Sequence, residues 1–247
     1  MTDSLSFLNY KTESFYDEFF DEEGQPKSEV KILVDRINAL PDYDLQARQE
    51  AIERALMRMG ITFAVYGDQQ GNEKIFPFDI VPRIISAIEW SHIEAGLKQR
   101  IKALNLFIND IYHEQEILND GIVPRELLEG ADSYRPECKG LKPPRGVWCH
   151  ITGTDLIRHS DGAIYVLEDN LRCPSGVSYV LQNRQVMKRS FPQIFSETKV
   201  RPVIDYPIHL YYTLQSLAPE TSDPTIVVLT PGIYNSAYYE HSFLAQQ

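Results

Sequence analysis

The spacing of apolar residues predicts two helices near the start of the chain. Apolar side chains recur at steps of three and four residues from Val30 to Leu40, and Pro41 follows them. A second series with the same spacing follows Asp44 and ends at Gly60. Such spacing places the apolar side chains on one face of a helix, and proline or glycine commonly follows a helix end. We therefore expect two amphipathic helices in this region.

The residues that precede these helices have no such periodicity. Residues 1–27 mix acidic and aromatic side chains and close with Gly24-Gln25-Pro26, a sequence typical of turns. We expect an irregular N-terminal arm that packs on the rest of the protein through Phe15, Phe19 and Phe20.

A longer helical region is predicted over residues 79–113. Pro82 suits a first helical turn, and the four residues that start at Ser91 have the serine-to-glutamate spacing of a capping box. We therefore expect one helix to end near Trp90 and a second to begin there. Most basic side chains of this region are expected on a solvated face. Arg83 is the best candidate for a phosphate-binding residue, since it lies at a predicted helix start.

The centre of the chain has the pattern of a β-hairpin. Two runs of apolar, β-branched and aromatic residues flank the turn sequence Asp161-Gly162, which is a strong signal for this motif. Side chains alternate along a strand. The residues that this alternation places on one face of the second strand are Ile164, Val166, Glu168 and Asn170. Asp155 lies on the first strand, whose return path can bring its carboxylate beside the last two.

Oxygen donors at the end of this hairpin predict a magnesium site. Asp155, Glu168 and Asn170 supply two carboxylates and an amide carbonyl. Magnesium binds one or two carboxylates, while water and substrate phosphates fill its other positions. Arg172 follows closely, and an arginine can bind a phosphate or carboxylate through two parallel hydrogen bonds. The alternative is a solvated hairpin tip with ordinary surface charges.

A helix is predicted to begin directly after this site, over residues 177–189. Pro174, Ser175 and Gly176 precede it, and the first N–H groups of a helix point toward any bound anion. We expect Ser175 and Gly176, together with Arg83, to contact the anionic groups of a bound cofactor, such as phosphates.

The same residues carry a resemblance to a known family. The run Leu167-Glu168-Asp169-Asn170-Leu171-Arg172-x-Pro174-Ser175-Gly176-Val177-Ser178-Tyr179 resembles the circularly permuted ATP-grasp proteins, relatives of glutathionylspermidine synthase. The likeness extends from Ile61 to the end of the sequence, with further similar runs at residues 78–85, 96–105 and 230–237.

The resemblance implies a carboxylate–amine ligase that depends on ATP and Mg²⁺ and forms an acyl phosphate. By this resemblance Glu168, Asn170 and Asp155 bind the magnesium ions that bridge the ATP phosphates. Arg172 is then the catalytic residue, facing the transferred phosphoryl group or the acyl substrate. The expected partners are small-molecule carboxylate and amine substrates.

The resemblance also implies that part of the nucleotide site lies elsewhere. Members of the family continue past the residues present here, and the lysines and adenine pocket that hold ATP belong to that later part. The sequence itself has no Gly-rich phosphate loop. We therefore expect no ligase activity from this chain alone. The alternatives are a non-catalytic remnant, or a divalent-metal or anion-binding module that needs a second half.

Two further segments have the composition of strands. Residues 61–66 are mainly β-branched and aromatic, and residues 225–230 form a nearly continuous apolar run, which is typical of a parallel strand covered on both faces. With a predicted helix over residues 236–247, the second run is the first unit of a doubly wound, Rossmann-like domain. Such a strand must pair earlier in the chain, pair with another chain, or belong to a truncated protein. We favour truncation and expect self-association through this strand.

Together these elements predict an α+β protein in four segments. These are an irregular arm (1–27), a mainly helical region (28–145), an ATP-grasp-like region with the metal site (146–222) and the start of a Rossmann-like unit (223–247).

The overall composition limits the partners of the protein. The 247 residues carry a net charge of −11, which argues against nucleic-acid binding because that needs a basic surface. Three scattered cysteines are too few for a disulfide framework and fit a reducing compartment. No run reaches the roughly 20 apolar residues of a membrane helix. We expect a cytoplasmic protein with no membrane partner.

Overall fold

Helices account for most of the regular structure, as the spacing of the apolar residues predicts. A computed structural model of the chain describes residues 7, 10–11, 15–41, 43–64, 73–75 and 77–247. In chain order the helices are α1 (Lys31–Asn38), α2 (Asp44–Arg58), α3 (Ala87–Tyr112), α4 (Glu116–Asn119), α5 (Arg125–Glu129), α6 (Val177–Ser190), α7 (Pro192–Thr198), α8 (Tyr206–Gln215) and α9 (Tyr238–Gln246). The strands are β1 (Thr62–Ala64), β2 (Glu73–Ile75), β3 (Gly153–Arg158) and β4 (Ile164–Asn170).

The strands form two separate antiparallel pairs, so the fold is α+β as predicted. β1 pairs with β2, and β3 pairs with β4. The predicted hairpin is confirmed by the second pair. The strand predicted over residues 61–66 corresponds to β1, although its last two residues lie outside the described part of the chain. β2 has no counterpart among the predictions, because its three residues fall in a polar segment.

Contacts divide the chain into two units. The first comprises Met1–Ile85, His159–Ala163 and Ser175–Gln247, and the second comprises Ser86–Arg158 and Ile164–Pro174. The four segments drawn from the sequence stay a prediction.

Helices α1, α2 and α6 contribute the main core of the first unit. Leu33 on α1 and Leu56 on α2 are 1% and 0% exposed, and Val186 on α6 belongs to the same cluster. Full burial of such a side chain stabilises a fold by about 1.5–3 kcal/mol, so this cluster holds the three helices together. The apolar faces predicted for the first two helices are confirmed.

Aromatic contacts hold the N-terminal arm. The ring of Phe20 is 7% exposed and lies 6.4 Å from that of Phe19 and 5.5 Å from that of Phe7. The Asp17 carboxylate accepts the N–H groups of Phe19 and Phe20 at 2.7 and 2.8 Å, which turns both rings inward. Phe15 precedes this turn and is 73% exposed, so its predicted packing is wrong.

The second unit is built on α3, which is one continuous helix. The break predicted near Trp90 is wrong, because Ser86 is the cap: its Oγ accepts the N–H of Glu89 at 3.2 Å. Ser91 lies inside the helix, where its hydroxyl donates to the Ala87 carbonyl at 2.8 Å. A serine bonded in this way continues a helix. Both serines precede a glutamate by three residues, so the spacing alone cannot select between them.

The C-terminal apolar run does not form the predicted strand. Residues 225–230 have no regular structure, and Val227 and Leu229 are 78% and 91% exposed. A strand exists only through hydrogen bonds to a neighbour, and no described segment pairs with this one. The helix predicted after it is confirmed as α9. The described ranges therefore contain no doubly wound unit.

Candidate functional site

The β3–β4 hairpin brings together the three residues predicted to bind magnesium. Asp155 lies directly opposite Glu168, and Gly153 lies opposite Asn170. Residues directly opposite in an antiparallel pair project from the same face, so the two carboxylates are neighbours. The amide Nδ2 of Asn170 donates to Oε1 of Glu168 at 3.1 Å. That bond orients the amide beside the carboxylate and leaves its carbonyl oxygen available.

A β-bulge changes which side chains share this face. The register passes from Asp155 opposite Glu168 to Leu156 opposite Val166, so Leu167 has no partner on β3. One unpaired residue in a strand reverses the alternation beyond it. Exposure along β4 reverses at the same place: Ile164, Val166 and Asp169 are half-buried, whereas Tyr165, Leu167, Glu168 and Asn170 are exposed. The prediction that Ile164 and Val166 share a face with Glu168 and Asn170 is therefore wrong.

The opposite face of the hairpin is attached to α3 by two ion pairs. Arg100 donates to Oδ2 of Asp169 through Nε at 2.7 Å and through Nη2 at 2.6 Å. Arg158 on β3 contacts Glu89 at 2.7 Å. The bond from Arg100, against a smaller opposing effect of burial, holds the pKa of Asp169 below its usual value. This ion pair between Arg100 and Asp169 has no counterpart among the predictions. Asp169 nevertheless alternates along β4 with Glu168 and Asn170, so its side chain must project from the opposite face.

The donor set at the exposed face fits magnesium. In the parts of the chain that the structure covers, no three His, Cys, Asp or Glu side chains are grouped to hold a metal. Asp155, Glu168 and Asn170 instead offer two carboxylates and one amide, which is the protein share of a magnesium site completed by phosphates and water.

A close backbone approach shapes the end of the hairpin. A Cβ added to Gly153 would lie 2.8 Å from the Cβ of Pro174 and 3.8 Å from that of Asn170. Only glycine lets the chain after β4 pass this close to β3. The chain therefore turns sharply between Asn170 and Pro174, the stretch that contains Arg172.

Arg172 is exposed and keeps its guanidinium available for a ligand. In the described ranges no hydrogen bond or ion pair of this side chain is found with another residue. An exposed arginine that follows the predicted metal ligand Asn170 by two residues suits the binding of an anionic group.

The start of α6 is occupied by a carboxylate of the protein itself. Glu240 on α9 is 4% exposed, and its oxygens accept the N–H of Gly176 at 2.7 and 2.8 Å. They also accept the N–H of Ser178 at 2.9 Å and its hydroxyl at 2.7 Å. Gly176 has a φ of +107°, which favours glycine. The N–H of Gly176 is thus already bonded to Glu240, and its contact with a bound phosphate stays a prediction. Ser175 is exposed.

Tyrosines surround this buried carboxylate in the first unit. Burial, and then the negative charge of Glu240, raises the pKa of Tyr179 and of Tyr206. Burial is also the main cause that raises the pKa of Tyr239 to about 12. These phenols therefore stay protonated at neutral pH, and that of Tyr179 donates to the Thr62 carbonyl at 3.1 Å.

Arg83 also has a partner within its own unit. Its guanidinium binds the Glu18 carboxylate through two bonds, Nε to Oε2 at 2.7 Å and Nη2 to Oε1 at 2.5 Å. Arg83 precedes α3 in a segment without helix. The prediction that it lies at a helix start is wrong, since the helix begins only after Ser86.

Comparisons with known proteins place these residues in a family context. Residues 82–247 match the family described as circularly permuted ATP-grasp type 2. An uncharacterized protein of Synechocystis is 54% identical over 98% of this chain and 51% of its own length. An uncharacterized protein of Mycobacterium tuberculosis is 47% identical over 98% of this chain and 44% of its own length.

More distant relatives carry an enzyme name. A Frankia casuarinae protein with the provisional name glutamate–cysteine ligase 2-2 is 36% identical over 94% of this chain and 27% of its own length. The chain thus spans about half the length of the more similar relatives, or less. In the part of the chain described, no helix has both the length and the apolar character needed to cross a membrane.

Proposed function

Because the chain belongs to the circularly permuted ATP-grasp family of type 2, we propose that it forms part of an ATP- and Mg²⁺-dependent carboxylate–amine ligase. The observation that carries this proposal is the placement of Asp155 opposite Glu168, with Asn170 on the same face of the hairpin. Relatives named as glutamate–cysteine ligases support a ligase-type role, since that name describes the joining of a carboxylate to an amine.

In the proposed reaction, a carboxylate oxygen of the first substrate attacks the γ-phosphorus of ATP. ADP leaves, and an acyl phosphate forms. The amine of the second substrate then attacks the acyl carbon and loses a proton, phosphate leaves, and an amide results. Asp155, Glu168 and Asn170 would hold magnesium, whose positive charge would offset the charge of the ATP phosphates. Arg172 stabilises the negative charge that develops on the transferred group.

We propose this activity for the whole protein to which these residues belong, with part of the ATP site outside the present chain. Within the chain, Ser175 remains a candidate contact for the nucleotide. For Gly176 and Arg83 to take part, they would have to leave Glu240 and Glu18. We therefore expect no amine-dependent release of ADP from residues 1–247 alone.

A second candidate function follows from those internal pairs. The N–H of Gly176 and the guanidinium of Arg83 already bind carboxylates of the protein. This favours a metal-binding module that does not bind nucleotide by itself and needs a second half. Nucleotide affinity separates the two functions, because only the ligase requires ATP to bind near the metal.

The proposed partners are small-molecule carboxylate and amine substrates, not nucleic acid or membrane. We propose a cytoplasmic location, which the free thiols of Cys138, Cys149 and Cys173 support, because thiols persist in a reducing compartment. We also propose self-association through residues 225–230, where Val227 and Leu229 leave their apolar side chains exposed.

The metal assignment is tested by titration calorimetry with Mn²⁺ and Mg²⁺. We expect Glu168→Gln to weaken metal binding at least about tenfold, or about 1.4 kcal/mol, because the variant loses the charge of one ligand. Glu126→Gln, an exposed residue on α5, serves as the matched control and should leave the affinity unchanged. Equal affinities in the wild type and in Glu168→Gln would remove the basis of the assignment.

A further inference from the structure

The first unit contains a cavity of about 500 Å³ that none of the predicted site residues lines. It is lined by α6, α7, the segment that leads into α8 and the C-terminal part of α9, and its walls are mainly apolar, with Phe195, Val203 and Ile204 among the lining side chains. Sites for small molecules in proteins have volumes of about 300–1,000 Å³ and are mostly apolar with a few polar groups. The cavity has the size and character of such a site.

The charged side chains that line this cavity are all of one sign. Arg184 and Lys188 of α6 contribute to the lining, and none of the lining side chains is acidic. The chain as a whole has 35 acidic residues and 24 lysines and arginines, so a wall without acidic side chains is not what its composition favours. A wall with two cationic and no anionic side chains attracts a negatively charged ligand.

Arg184 lacks the partner that a half-buried cation normally has. Its Nη1 donates to the carbonyl of Arg201 at 2.6 Å, and its guanidinium lies 5.9 Å from the ring centre of Phe195. Among the described residues no carboxylate pairs with it. Burial lowers the pKa of Arg184, which reflects the loss of water around the charge. Cations that lose water are usually paired with an anion.

We propose that this cavity binds a small organic acid. The carboxylate pairs with Arg184 and Lys188, and an apolar body of the ligand packs on Phe195, Val203 and Ile204. The guanidinium has five N–H donors, so the bond to Arg201 leaves enough of them for a carboxylate. The largely apolar lining favours an acid with a hydrocarbon portion over inorganic phosphate. All residues that line the cavity belong to the first unit, and none of them belongs to the proposed magnesium site.

The test compares three probes on the full chain by titration calorimetry: phenylpropionate, its neutral amide and inorganic phosphate. We expect the acid to bind at millimolar concentrations or below, and the amide and phosphate to bind at least about tenfold more weakly. No binding of the acid in this range would overturn the proposal. Equal binding of the acid and the amide would also overturn it, because the cations would then have no role. If phosphate bound as tightly as phenylpropionate, the apolar side chains would contribute nothing to binding, and the proposed contact with them would be wrong.

Variants of α6 locate the bound acid. Arg184→Gln and Lys188→Gln should each weaken binding of phenylpropionate, the former at least about tenfold. Arg184→Lys keeps the charge but loses the planar fork, so its effect should be smaller. Arg189→Gln, an exposed cation on the same helix outside the cavity, is the matched control. The same loss in Arg189→Gln as in Arg184→Gln would contradict the location. If Arg184→Gln does not fold, the affinities of Arg184→Lys and Lys188→Gln for phenylpropionate can be compared with that of Arg189→Gln instead.

Discussion

Glu240 is predicted to be the most sensitive single charge in the first unit. Replacement by glutamine keeps the size of the side chain and one carbonyl acceptor, but removes the charge and the second acceptor. Three donors face the carboxylate, namely the N–H groups of Gly176 and Ser178 and the Ser178 hydroxyl. A hydrogen bond to a charged group is about twice as strong as a neutral one, so each donor loses about 1 kcal/mol. We expect a decrease of about 3 kcal/mol in the free energy of unfolding.

Urea unfolding followed by circular dichroism measures this change. Amide hydrogen exchange adds a local readout, since the N–H groups of Gly176 and Ser178 should exchange faster in Glu240→Gln. Glu220→Gln is the control, because Glu220 is exposed and its replacement should change the free energy of unfolding by less than about 0.5 kcal/mol. If Glu240→Gln were no less stable than this control, the carboxylate would not be what stabilises the start of α6.

Three other predictions follow from the hairpin and the C-terminal segment. The pKa of Asp169 is lowered in the folded protein. The stability that this carboxylate contributes is therefore fully present above the ordinary carboxyl pKa of about 4. It is lost as the pH falls through the lower pKa that Asp169 has in the folded protein. Arg100→Ala should therefore lose less stability on acidification than the wild type does, as urea unfolding over a pH series would show. Gly153→Ala should destabilise the protein by about 1–3 kcal/mol, because the added methyl group would collide with Pro174. The same change should weaken Mn²⁺ binding, as measured by calorimetry. An unchanged affinity for Mn²⁺ would contradict the close approach of the two segments. Val227→Asp with Leu229→Asp should reduce concentration-dependent association in sedimentation, and a monodisperse wild type would contradict the proposed contact.

Local patterns in the sequence were enough to predict much of the fold. The turn sequence Asp161-Gly162 between two apolar runs predicts the hairpin, although a regular hairpin would pair Asp155 with Leu167 and only the bulge places Asp155 opposite Glu168. The helices with one apolar face, α1 and α2, are predicted equally well. In each case the information lies within a few consecutive residues.

The features that were missed depend on distant contacts or on small local shifts. Glu240 lies 62 residues from the Ser178 backbone that it binds, and no local pattern marks such a partner. The unpaired Leu167 resembles any other strand residue in the sequence, although it reverses the alternation. The run at residues 225–230 has the composition of a strand, but composition does not supply the neighbouring strand that it needs.

The bulge at Leu167 makes the hairpin tolerant of one change in its length. An in-frame loss of the Leu167 codon would remove the one residue of β4 that has no partner on β3 and would restore a regular ladder. Asp155 would still lie opposite Glu168, and Gly153 would still lie opposite Asn170. Directly opposite residues project from the same face, so Asp169 would keep its side toward Arg100. Deletion of this one apolar codon would thus shorten β4 and leave Glu168 beside Asp155.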